Sequence, residues 1–146
     1  MPAISFFEED INYKLKNKAL VRQWIKDTIV AEGFKLKELN YIFCSDAYLL
    51  AINQQYLNHD TYTDIITFDY SKENNQLPIS GDIFISIERV KENALKYSGS
   101  FENELNRIII HGILHLLGHK DKTKADKSEM TKQEENCLKL LKKLNG

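Results

Sequence analysis

The feature that most constrains this chain is the run Ile108-Ile109-Ile110-His111-Gly112-Ile113-Leu114-His115-Leu116-Leu117-Gly118-His119-Lys120-Asp121. Its seven Ile and Leu residues before Gly118 predict a deeply buried helix, yet three of the chain's four histidines fall within nine residues of it. An unpartnered polar group in an apolar interior costs a few kcal/mol, on the order of 2 or more each, so these imidazoles need partners. Positions i and i+4 lie one above the other on a helix. His111 and His115 can therefore aim at one ion, a recurrent zinc-ligand spacing. On a straight helix His119 would lie about 12 Å along the axis from His111, at ~1.5 Å per residue. Gly118 offers a way out, because a left-handed glycine ends a helix and turns the next residues back toward the same face. The third ligand is expected beyond Gly118, with His119 and Asp121 as candidates. A peptidase of the His-Glu-x-x-His type carries its general base just after the first histidine. Gly112 holds that place here.

The remaining chain supplies a domain to carry this helix. At 146 residues, 42% hydrophobic and 28% charged, it has the length and composition of one globular domain spanning 1–146, and not of a disordered or fibrous chain. Ala3–Phe7, Leu39–Cys44, Asp64–Tyr70 and Asp82–Ile87 read as strands, and Ser71–Gly81 as an exposed loop. Helical spacing marks Leu20–Glu32, the stretch from Ala47 after Ser45-Asp46, Glu88–Tyr97 and Glu102–Leu117. A terminal helix follows the stripe Met130, Cys137, Leu141, Leu144. The expected class is α/β (α+β): a mixed sheet of about four strands surrounded by helices, with a metalloprotease-like metal-site helix.

Charge and cysteines narrow the partners. The formal net charge is −1, but from Lys120 onward eight lysines face five acids, leaving twelve basic against sixteen acidic residues before it. Bulk charge therefore gives no drive toward nucleic acid, and any RNA contact must be local. Cys44 and Cys137 form no CxxC pair, which excludes a cysteine-based metal site and suggests reduced, buried thiols. No run of about 18 apolar residues is present, so no membrane contact is expected and a cytoplasmic location is the default.

These residues also carry a family likeness. His111 to Asp121 resembles the signature His-Gly-x-Leu-His-Leu-x-Gly-Tyr-Asp-His of the YbeY family, bacterial rRNA maturation factors described as metal-dependent endoribonucleases. Asn53-Gln54-Gln55-Tyr56, Thr63–Tyr70 and Gly81–Ser86 resemble its Asn-x-x-Tyr-Arg, Thr-Asp-Val-Leu-Ser-Phe and Gly-Asp-Ile segments, in the same order. The resemblance implies cleavage of ribosomal RNA in late small-subunit processing and ribosome quality control. It implies one zinc ion, with ribosomal RNA and the small ribosomal subunit as partners. The family's third metal ligand falls at Asp121, which makes the implied set His111, His115 and Asp121, with His119 where the family has tyrosine. The alternative is His119 as ligand with Asp121 as its acceptor. Leu57 stands where the family has an arginine suited to phosphate; His59 reads as a solvated loop residue, and Lys72 or Lys120 could supply the charge. Thr63, Asp64, Thr67, Asp82 and Ser86 read either as turn or outward-facing strand residues or as the lining of an RNA cleft. Two other functions fit the motif: a metal-dependent hydrolase of another substrate, and a non-catalytic ribosome-assembly factor with a structural zinc.

Overall fold

A computed structural model describes residues 3–71 and 78–146. Among these, four strands, β1 (Ile4–Glu9), β2 (Leu36–Cys44), β3 (Ile65–Asp69) and β4 (Ile79–Ser86), form one sheet in the order β1-β2-β4-β3. β1, β2 and β4 are parallel and β3 runs antiparallel to β4 at the edge. The helices are α1 (Lys18–Ala31), α2 (Asp46–Leu57), α3 (Ile87–Lys96), α4 (Phe101–Leu116) and α5 (Lys124–Asn145). This is the expected mixed-sheet architecture. Three strands run longer than the sequence indicated: β1 continues to Glu9, β2 starts at Leu36, and β4 begins at Ile79, inside the stretch read as loop, because Ile79 is buried and its N–H donates to Lys35 O at 2.7 Å.

The parallel strands explain why the core is so apolar. Residues alternate between sheet faces, and Leu39, Tyr41, Phe43, Ile83 and Ile85 face one layer with Trp24, Ile25, Ile109 and Ile113 from α1 and α4. α2 covers part of the other face through Leu49, which packs with Cys44 and Ile66. Two long-range hydrogen bonds fix the helices on this scaffold. The Tyr41 hydroxyl donates to Ile109 O at 3.0 Å, and Trp24 Nε1–H donates to Cys137 O at 2.7 Å. The first pins α4 to the central strand β2 two residues before its histidines begin.

Gly112 sets how closely α4 lies on the sheet. A Cβ at this position would meet Ile65 Cδ1 at 3.1 Å and Ile83 Cγ2 and Cδ1 at 3.1 and 3.2 Å. The residue faces strands β3 and β4, so a glutamate here would drive its side chain against the partly buried Ile65 and the fully buried Ile83. The missing peptidase base is thus a consequence of packing.

Candidate metal centre

The C-terminus of α4 is closed by a glycine in the left-handed region, Gly118 at φ +99°. Gly118 N–H donates to His115 O and His119 N–H to Leu114 O, both at 3.0 Å, the paired bonds of a Schellman cap. The chain reverses here, and the residues after it return alongside the helix. Asp121 Oδ2 then lies 3.2 Å from His115 Nε2 and 3.5 Å from His111 Nε2. The two rings sit one turn apart, centroids 4.6 Å and nearly perpendicular at 82°. One donor atom from each of His111, His115 and Asp121 lies within 4.8 Å of the others.

His119 is placed elsewhere. Its Nε2 lies 2.8 Å from Glu32 Oε1 at the end of α1. Beyond the cap the two candidates part: His119 meets Glu32 of α1, while Asp121, two residues on, meets the two histidines of α4.

The donor chemistry fits a divalent cation. Two imidazole nitrogens and a carboxylate oxygen are ordinary zinc ligands, and all three side chains are partly exposed, hence reachable from solvent. Without a cation, the site is a basic imidazole among acids. Burial alone would lower the His111 pKa. The hydrogen bond and charge of Glu134, with Asp121 and Asp64 behind it, outweigh that and hold it above its ordinary value.

Glu134 was not visible as a site residue in the sequence, although a signal existed. It lies on the apolar stripe of α5, four residues after Met130 and three before Cys137, where a charge is out of place. In the structure it is only 7% exposed. His111 Nδ1 lies 2.6 Å from its Oε2, and Arg107 Nη1 donates to its Oε1 at 3.0 Å.

The residues with two readings separate. Asp64, just before β3, is drawn toward the site: burial raises its pKa, with its own backbone N–H and the nearby His111 opposing. Asp82 lies on the other face, because its neighbour Ile83 is the residue packed on Gly112. It accepts from Asn40 Nδ2 at 3.1 Å and the Tyr70 hydroxyl at 2.8 Å. Ser86 corrects its outward-facing reading. It is fully buried, accepts from Arg89 N–H at the start of α3 and donates to Asp46 Oδ1 at 3.1 Å. Thr63 and Thr67 line an open groove of about 380 Å³ together with Leu57, His59, Tyr62 and Ile65. Ile65 joins this groove to α4 through its contact at Gly112. His59 and Lys120 are exposed. Lys72 lies outside the described residues.

Comparison with known proteins places this arrangement. Residues 3–142 match a family model described as endoribonuclease YbeY. Endoribonuclease YbeY of Cytophaga hutchinsonii is 49% identical over 139 residues, covering 95% of this chain and 96% of its own. The Porphyromonas gingivalis protein of the same name is 40% identical over all 146 residues and 95% of its own length. A Thermotoga maritima protein solved in solution superposes with a TM-score of 0.66 at 26% identity, covering 94% of this chain and 88% of that one.

Proposed function

The chain belongs to the YbeY family of endoribonucleases, and from that premise we propose that it cleaves RNA in ribosomal RNA maturation at one zinc ion held by His111, His115 and Asp121. The observation that carries the reading is the convergence of these three donor atoms within 4.8 Å. A zinc held by three side chains keeps a fourth position for solvent or substrate, whereas a structural zinc is closed by four. When bound, such an ion supplies Lewis acidity and a more acidic water.

The side chains divide the remaining work. His111 and His115 contribute neutral donors from a helix whose position is fixed by Tyr41 and Gly112. Asp121 contributes a negative charge where the family pattern has a third imidazole, so the centre carries one positive charge less. The groove beside β3 presents Leu57, Tyr62, Thr63 and Thr67, and among the described residues no lysine or arginine lines it. It suits the ribose and base edges of a single strand, with exposed Lys120 as a positive charge for the phosphates. The small ribosomal subunit is the partner that supplies such RNA, and no described helix is long and apolar enough to cross a membrane.

One observation favours a second reading: Leu57 is 42% exposed in the groove and cannot bind phosphate. This fits a ribosome-assembly factor that binds without cutting. Incubating zinc-loaded protein with structured ribosomal RNA separates the two. Cleavage that needs the metal and disappears in His111→Ala is expected. Ribosomal-particle binding with no cleavage by the zinc-loaded wild type would overturn the enzyme reading.

A further inference from the structure

We propose that Glu134 is a positioning residue for the metal centre: anchored by Arg107, it fixes the His111 ring with Nδ1–H donated to its carboxylate, so that the Nε2 lone pair faces Asp121 and the cation. The inference rests on His111 being a ligand and adds how that ligand is aimed.

Glu134 links α5 both to the first ligand and to Arg107 of α4. It sits on the buried stripe of α5, where folding alone would favour an apolar side chain, and a buried carboxylate is tolerated when each oxygen is paired. Both are paired in the structure. Oε1 accepts from Arg107 Nη1 at 3.0 Å, and Oε2 lies 2.6 Å from His111 Nδ1. An ionised carboxylate only accepts, so the proton of that short contact sits on Nδ1. In a neutral imidazole the other nitrogen is then the acceptor. That nitrogen, Nε2, is the one 3.5 Å from Asp121 Oδ2.

Arg107 completes the arrangement by helix spacing. Arg107, His111 and His115 follow one another at i, i+4 and i+8 on one stripe of α4, which sets the guanidinium one turn before the first ligand. Arg107 also reaches Glu135, so it grips α5 at two successive carboxylates. The consequence is that α5 is part of the metal centre although it contributes no ligand.

The test uses full-length protein and two readouts. In metal-free protein at about pH 9, above the ordinary imidazole range, long-range ¹⁵N–¹H correlation spectra should show His111 as the Nδ1–H tautomer. Glu134→Ala should populate Nε2–H, and Glu134→Gln, whose amide oxygen still accepts, should retain Nδ1–H. Zinc affinity, measured by competition with a chromophoric chelator, should fall about 10- to 100-fold in Glu134→Ala, the usual cost of losing a ligand's hydrogen-bond partner. Glu134→Gln should recover most of it. An Nε2–H tautomer in the wild type overturns the proposal even if Glu134→Ala does not fold. So does zinc binding by Glu134→Ala at wild-type affinity. Failure of the wild type to bind zinc at all would instead overturn the ligand assignment on which this rests.

Discussion

Replacing Gly112 by alanine tests why this helix carries no peptidase base. An alanine in an exposed helix interior is more stable than glycine by about 1 kcal/mol. At position 112 the new methyl would meet three isoleucine carbons at 3.1–3.2 Å, below the ~3.5–4.0 Å optimum for carbon pairs. Ile83 is fully buried on β4, hydrogen-bonded on both sides by β2 and β3, and has little room to yield. Overpacking of this kind costs about 1–3 kcal/mol. The net expectation for Gly112→Ala is a loss of about 0–2 kcal/mol, read as the shift in urea midpoint at constant m-value. A second substitution sharpens this. Ile65→Val removes the Cδ1 that lies at 3.1 Å, so the double variant should be more stable than the sum of the singles by about 0.5 kcal/mol or more. Gly112→Ala stabilising by a full ~1 kcal/mol, with additive behaviour in the double variant, would refute the claim that Gly112 is there for close packing.

Other expectations follow from burial and charge. Burial raises the thiol pKa of Cys44 to about 12 and of Cys137 to about 11, so neither should react with iodoacetamide at about pH 8 in the folded protein, while both react in urea. Rapid labelling of either would contradict their placement. Asp64 has its carboxyl pKa raised by burial, so its folded-state value lies above its unfolded one. Its contribution to stability is present below the unfolded carboxylate range and is lost as pH rises through the folded value. Asp64→Asn should therefore raise the stability of the metal-free protein at neutral pH, with the gain shrinking as pH falls through the raised folded value and gone below about 4. A gain that grows on acidification would be the wrong sign.

The parts of this molecule written in local pattern were legible in the sequence. The period of α4, its glycine stop and the His111–His115 spacing are all properties of neighbouring residues, and they led to the helix and to two of the three clustered side chains. Choosing Asp121 over His119 needed the family register, since both lie beyond Gly118 and only the path of the chain after the cap sends one toward His115 and the other toward Glu32. Glu134 was missed for a related reason: its partner lies 23 positions away on another helix. Ser86 was misread because strand alternation places a residue on a face, whereas its burial comes from capping α3 and binding Asp46. The start of β4 was hidden because Ser80 and Gly81 interrupt the apolar run after Ile79, and its pairing with β2 joins residues some 40 positions apart.

The central claim is that His111, His115 and Asp121 hold one metal ion, and zinc titration of metal-free protein against a chelator tests it most directly. The wild type and His119→Ala should each bind one ion per chain with similar affinity, and Asp121→Ala and His115→Ala should bind far more weakly. Retention of tight binding in Asp121→Ala together with its loss in His119→Ala would contradict the account.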